Sequence, residues 1–183
     1  MQFEVSIIDY GSGNIFSLRK MLNKLGCKTI ITKDPDKISN SKKIILPGVG
    51  GFESAISEIQ KNNIFESIVY SSKKGSSIMG ICLGMHILCN SSEEGKGSGF
   101  NFFKYEINKI NLNDQNIMKY KIPNIGWHNI ELLNHDNVNF LKDFKDDNKF
   151  YFCHSYVANF DKYKCEESDI TTLNYPEKII TSL

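Results

Sequence analysis

The residues with the clearest chemical potential are Gly80-Ile81-Cys82-Leu83-Gly84. A cysteine with glycine two positions away on each side has the Gly-x-nucleophile-x-Gly spacing of a nucleophile elbow, where a strand turns sharply into a helix and exposes the nucleophile at the bend. The bend strains the backbone, and a side chain at either flanking position would strike the neighbouring strand or helix. A helix starting at Leu83 points unpaired amides and the positive end of its dipole toward the sulfur, which favours the thiolate. The chemistry this predicts is attack of Cys82 on a carbonyl carbon. Taken alone, the five residues fit an inert thiol in a Gly-rich turn equally well.

The remaining cysteines offer no such setting. Cys27, Cys89, Cys153 and Cys165 complete an odd count at irregular spacing without a Cys-x-x-Cys pair, which argues against a disulfide framework and a structural zinc site. They read as reduced, partly buried small residues, and neither a metal nor a cofactor is expected. Gly11-Ser12-Gly13-Asn14 could be mistaken for a nucleotide loop, but Phe16 stands where a third glycine is needed and no Gly-Lys-Ser/Thr follows. Pro47–Gly51 is glycine-rich as well, and by itself fits a plain strand-to-helix turn. Of the histidines, His86 lies four positions after Cys82 on the elbow helix, His128 follows Gly126-Trp127, His135 sits in a polar stretch and His154 begins His-Ser-Tyr.

These residues must be positioned by an α/β scaffold. Phe3–Asp9 is β-branched and apolar and reads as a first strand. Ile15, Leu18, Met21, Leu22 and Leu25 recur at helical spacing, with Gly26 as the stop. Cys27–Thr32 is a second strand, Asp34-Pro35 opens a short helical turn, Lys43–Leu46 is a buried strand, Phe52–Gln60 is helical, and Ser76–Ile81 leads into the helix from Leu83. Ser91–Gly99 reads as a flexible polar loop. Alternating strands and helices predict a largely parallel sheet covered on both faces. From Tyr105 onward the apolar residues fall in short alternating runs, Tyr105–Ile110, His128–Leu133 and Phe150–Val157, which suit added antiparallel strands.

With 183 residues, 40% hydrophobic and 23% charged, the chain is predicted to form one globular domain over 1–183, and a net charge of +1 gives no pull toward nucleic acid or membrane. Arg19 is the only arginine, so backbone amides and small polar groups must carry most ligand recognition. The apolar runs are strand-sized and the N-terminus lacks a signal-peptide pattern, so a cytoplasmic location is expected.

Asp9-Tyr10-Gly11-Ser12-Gly13-Asn14, Leu46-Pro47-Gly48-Val49-Gly50-Gly51-Phe52, Gly80–Gly84, Ile125-Gly126-Trp127 and Tyr151-Phe152-Cys153-His154-Ser155-Tyr156 occur together in that order. In this the chain resembles the glutaminase subunits of imidazole glycerol phosphate synthase, class I glutamine amidotransferases, over essentially its whole length. The resemblance implies a flavodoxin-like three-layer fold. It also implies attack of Cys82 on the side-chain amide of glutamine, release of ammonia and hydrolysis of the thioester. The oxyanion would be held by the Leu83 amide and by a second amide from the Pro47–Gly51 loop, Val49 or Gly50. Gly48, Gly84, His86, His154, Ser155 and Tyr156 would line the glutamine site or its entrance. His86 stands where the family usually has glutamine, so it either contacts substrate or packs beneath the pocket. The implied partner is a cyclase subunit of (β/α)8-barrel type, forming a heterodimer that uses the ammonia in histidine biosynthesis. The Gly11–Asn14 turn and the His154–Tyr156 segment would lie at the contact.

The family's base and acid come from a late His-Pro-Glu strand. Asn174-Tyr175-Pro176-Glu177-Lys178 imitates that motif with tyrosine for histidine, but Lys178–Leu183 looks like the strand that precedes it, leaving the chain short by on the order of ten residues. The domain is thus expected to lack its last strand and helix, through truncation or natural degeneracy, and its glutaminase activity to be severely impaired. Three alternatives keep other functions open: a non-catalytic scaffold subunit, an ammonia donor to a related sugar-amidinating cyclase, and a different cysteine hydrolase on this fold.

Overall fold

The computed structural model describes residues 4–132, 149–159 and 171–182. They divide into two compact units, one ending at Phe102 and one beginning at Phe103.

The first unit is built from β1 (Glu4–Ile8), α1 (Ile15–Lys24), β2 (Lys28–Thr32), α2 (Pro35–Ser39), β3 (Lys43–Leu46), α3 (Phe52–Lys61), α4 (Ile64–Lys73), β4 (Ser77–Gly80), α5 (Leu83–Leu88) and the two-residue β5 (Ser91–Ser92). β1 to β4 form a parallel sheet in the order β2-β1-β3-β4. β1 and β3 are buried at every position after their first, as strands covered on both faces must be. β4, at the edge, is at most half-buried and leaves Met79 exposed.

Local chemistry fixes most of these boundaries. Asn14 caps α1 by accepting the Ser17 amide at 3.2 Å, and Gly26, at φ 82°, ends it. Asp34 caps α2 by accepting the Asp36 amide at 3.0 Å, with Pro35 at the first helical position. α4 has no counterpart in the sequence reading. It starts at Asn63, whose φ of 54° turns the chain. Its three serines are weak helix formers, and the helix owes its place to the buried Ile64 and Ile68 and to Ser71, whose hydroxyl donates to the Ile38 carbonyl at 2.6 Å.

The polar stretch Ser91–Gly99 is also more tied down than its composition suggests. Glu94 accepts the Phe52 amide at 3.2 Å and Glu53 accepts the Lys96 amide at 3.3 Å, which anchors the stretch on the start of α3.

The second unit contains β6 (Glu106–Lys109), β7 (Asn124–Asn129), β8 (Glu131–Leu132), β9 (Lys149–His154), β10 (Tyr156–Asn159), β11 (Thr171–Asn174) and β12 (Lys178–Ser182). Within it, β6, β10, β12, β11 and β8 pair antiparallel in that order, and β7 and β9 form a separate antiparallel ribbon. The apolar run Phe150–Val157 is therefore two strands. The chain leaves the ribbon at His154, bends at Ser155 and enters the sheet at Tyr156. His128–Leu133 divides in the same way between β7 and β8, with Leu133 outside the described residues.

The core of this unit gathers Ile110, Val157, Leu173, Tyr175 and Ile179. Tyr175 stands in the turn between β11 and β12, where its hydroxyl donates to the Lys121 carbonyl at 2.7 Å and accepts the Lys121 amide at 3.1 Å. The Tyr-Pro-Glu segment is thus part of a hairpin. Among the described residues no helix is long and apolar enough to cross a membrane.

Candidate active site

The elbow begins where β4 ends. Leu46 and Gly80 are register partners, and the Ile81 amide donates to the Leu46 carbonyl at 2.9 Å, which ties the bend to the end of β3. Cys82 then adopts φ 53° and ψ −111° at the N-cap of α5, a strained conformation for a residue with a side chain, costing on the order of 1–3 kcal/mol. Its carbonyl accepts the Met85 amide at 2.9 Å and the His86 amide at 3.2 Å, so α5 starts directly from it. The thiol of Cys82 is exposed, whereas Leu83 behind it is buried. The Leu83 amide is the first of the helix and has no carbonyl one turn earlier to pair with.

The flanking glycines leave no room for side chains. A Cβ on Gly80 would lie 2.4 Å from the Gly84 carbonyl carbon, and one on Gly84 would lie 1.9 Å from the Leu46 oxygen. Gly48 brings the second loop into the same place: a Cβ there would lie 2.5 Å from Leu83 Cβ and 2.8 Å from the Gly84 nitrogen. Cys82, Leu83, Gly84 and Gly48 are therefore in one cluster, and Val49 and Gly50 follow Gly48 directly. Val49 is 72% exposed, and Gly50 has φ 137°.

His86 is buried in a helix whose other residues, except Met85, are buried with it.

A further contact was not legible beforehand. Tyr10, two residues beyond β1 and 2% exposed, donates its hydroxyl proton to the Pro47 carbonyl. Burial pushes its phenol well above the ordinary tyrosine range, and negative charge on Cys82 acts in the same direction. Cys89, one residue past α5, is buried, and its thiol is pushed up to about 12. Among the described residues no group of three His, Cys, Asp or Glu side chains converges to hold a metal ion.

His154, Ser155 and Tyr156 lie in the second unit, at the passage from β9 to β10. The His154 ring meets the Tyr156 carbonyl at 3.2 Å through Nδ1 and the Asn124 amide nitrogen at 3.1 Å through Nε2. A carbonyl can only accept, so Nδ1 carries the proton and Nε2 accepts from Asn124. Burial lowers the His154 pKa, the bond to Tyr156 works against that, and the neighbouring His128 lowers it further. His128 packs its ring against Phe152 and Tyr175. His135 and Cys165 fall outside the described residues.

Residues 6–181 match the family described as class I glutamine amidotransferase. The chain belongs to that family. Relatives include imidazole glycerol phosphate synthase subunit HisH 2 of Methanococcus maripaludis, 39% identical over 158 residues, which are 84% of this chain and 74% of the relative. The HisH subunit of Picrophilus torridus is 37% identical over 161 residues (88% and 76%), and that of a Prochlorococcus marinus strain is 35% identical over 180 residues (98% and 83%). In fold, the PurLQS structure from Thermotoga maritima superposes with a TM-score of 0.64 at 21% identity, covering 100% of this chain and 78% of that one. A crystal structure of a glutamine amidotransferase gives 0.59 at 13% identity, covering 85% and 74%. The elbow at Cys82 thus sits in the fold that the sequence resemblance implied, with a parallel sheet and further antiparallel strands.

Proposed function

We propose that this amidotransferase is the glutaminase subunit of an imidazole glycerol phosphate synthase, with Cys82 as its nucleophile, acting as a single domain over 1–183. The observation that carries this reading is the convergence of an exposed Cys82 at φ 53° with the Gly48 loop packed on Leu83 and Gly84. Attack of the thiolate on the glutamine side-chain carbonyl forms a C–S bond and places negative charge on the oxygen. The Leu83 amide stands at the open start of α5 to receive that charge, and the amide of Val49 or Gly50 is the second donor. Collapse of the adduct breaks the C–N bond and expels ammonia, the leaving nitrogen taking its proton from water, and a further water then cleaves the thioester to glutamate and frees the thiol. Gly48 and Gly84 shape the pocket floor, while His86 supports the elbow helix from its buried side. In this reading His154, Ser155 and Tyr156 of the second unit belong to the partner contact.

Ammonia protonates readily in water, so the reaction is useful only beside a second active site. The partner in this reading is a cyclase subunit of (β/α)8-barrel type, bound as a heterodimer in the cytoplasm. Exposed apolar side chains suit a docking role in each unit: Phe16, Met21 and Leu25 on or beside α1, and Ile125, Trp127 and Tyr151 on the β7–β9 ribbon.

A glutamine-analogue electrophile tests the assignment. Labelling confined to Cys82 and suppressed by glutamine is the expected result. Labelling spread evenly over Cys27, Cys82 and Cys153 would sink it, and titration with the cyclase that gave no complex would sink the partnership.

A further inference from the structure

The oxyanion loop is gripped at its first residue. Tyr10 donates its hydroxyl proton to the Pro47 carbonyl from a site only 2% exposed. The next residue, Gly48, abuts Leu83 and Gly84 so closely that a Cβ would lie 2.5 Å from Leu83 Cβ. From another side, a Cβ on Gly13 would sit 3.2 Å from the Gly48 nitrogen and 3.3 Å from Pro47 Cβ. The stem Pro47-Gly48 is therefore held by three neighbours, whereas the tip at Val49 is 72% exposed.

We propose that Tyr10 is a positioning residue for the oxyanion loop, its hydroxyl fixing Pro47 so that the amides that follow are set in place relative to Cys82. A carbonyl is an obligate acceptor, and in a buried setting it stays where its donor is. Burial keeps the Tyr10 hydroxyl protonated, and a thiolate at Cys82 reinforces this, so the donor persists through the step in which negative charge builds up. Without it, the Pro47 carbonyl must seek another partner and the stem shifts with it.

The inference rests on the glutaminase reading, and two electrophiles separate the two. A chloromethyl ketone analogue of glutamine first takes the Cys82 thiolate at its carbonyl, placing negative charge on oxygen where the loop amides act. The sulfur then bonds to the methylene as the C–Cl bond breaks and chloride leaves, and its bond to the carbonyl carbon breaks as the ketone re-forms. Iodoacetamide alkylates the same thiolate in one displacement, with iodide leaving and no oxyanion formed. Tyr10→Phe is expected to slow the ketone about ten- to hundredfold while moving the iodoacetamide rate by less than about twofold. Gly13→Ala disturbs the same stem, through backbone strain at its φ of 90° and a Cβ 3.2 Å from the Gly48 nitrogen, and should reproduce that split even where Tyr10→Phe fails to fold. Equal slowing of both reagents, or an unchanged ketone rate in a folded variant, overturns the assignment. The glutaminase reading fails separately, and the inference with it, if the ketone shows no preference for Cys82 over Cys27 and Cys153 in the unaltered chain.

Discussion

Gly84→Ala is a sharp test of the elbow, because two physical effects of opposite sign meet at that position. Gly84 is the second residue of α5, and replacing a helical glycine with alanine ordinarily stabilises by about 0.5–1 kcal/mol. Here the new Cβ would lie 1.9 Å from the Leu46 oxygen, 2.8 Å from its carbonyl carbon and 3.2 Å from its Cβ. Two of the three are backbone atoms of β3, so no rotamer change relieves the contact. α5 must instead move off the sheet by about 1 Å to restore ordinary spacing, and overpacking of this kind costs about 1–3 kcal/mol. Because the clash is with backbone, the upper part of that range applies, and the net loss is about 2 kcal/mol after the helical gain. For a chain of this length that lowers the Tm by about 4–8 °C. The displacement carries Cys82 and the Leu83 amide with it, and an error of about 1 Å at a reacting group costs on the order of a hundredfold in rate. Thermal unfolding and the rate of Cys82 modification by a glutamine-analogue electrophile read the two effects. Gly51→Ala is the control, since nothing lies within 4 Å of its Cβ, and it should cost no more than about 1 kcal/mol as an N-cap change. A Gly84→Ala protein with an unchanged or raised Tm and full Cys82 reactivity would refute the close-contact account of the elbow.

Three further outcomes are expected. Cys89, buried and with its thiol pushed up to about 12, should resist alkylation near pH 8 in the folded chain and react only after unfolding, as mass mapping can show; alkylation at the Cys82 rate contradicts this. His154 has a folded-state pKa below its ordinary 6.5, so the unfolded chain binds its proton first. Its contribution to stability is complete above about pH 6.5 and is lost as pH falls toward the folded value. Urea unfolding followed across this window should show that slope, flattened in His154→Gln, and a slope of opposite sign counts against it. Tyr175→Phe removes both hydrogen bonds to the Lys121 backbone, at 2.7 and 3.1 Å, and should destabilise the second unit by about 1–3 kcal/mol; an unchanged unfolding midpoint would show that the hairpin turn does not depend on them.

The elbow was legible in the sequence because its constraint repeats wherever a strand turns so sharply into a helix. Gly80 must be glycine because the bend folds Gly84 and Met85 onto it, and Gly84 because the bend lays α5 on the end of β3 at Leu46, and the spacing records both needs. α4 was not legible, because its serines carry no helix signal and its position comes from burial against α2, which is 33 residues distant at the Ser71–Ile38 bond. The division of Phe150–Val157 was hidden for a related reason. An alternating pattern shows which residues share a face but not which partner strand they meet, and the partner changes at Ser155. In α1 the periodicity gave the helix, and three of its apolar residues, Ile15, Leu18 and Leu22, are half-buried. Met21 and Leu25 in the same pattern are exposed, because the stripe is wider than the surface available to it in this chain.

Tyr10 and Pro47 are 37 residues apart, and only the topology brings them together. The chain runs outward from β1 to β2, then returns to place β3 on the other side of β1, so the sheet reverses its winding between β1 and β3. At such a switch point the loops leaving the carboxyl ends of neighbouring parallel strands diverge and leave a crevice. Ile7 pairs with Ile45 and Leu46 with Gly80, so the three strands end close to one level. The loop after β1 then delivers Tyr10, the loop after β3 delivers Pro47 and Gly48, and the bend after β4 delivers Cys82. Because all three strands are parallel, their functional loops must emerge at the same edge. A buried hydroxyl can therefore hold the base of a loop whose exposed tip, in the proposed site, faces the nucleophile.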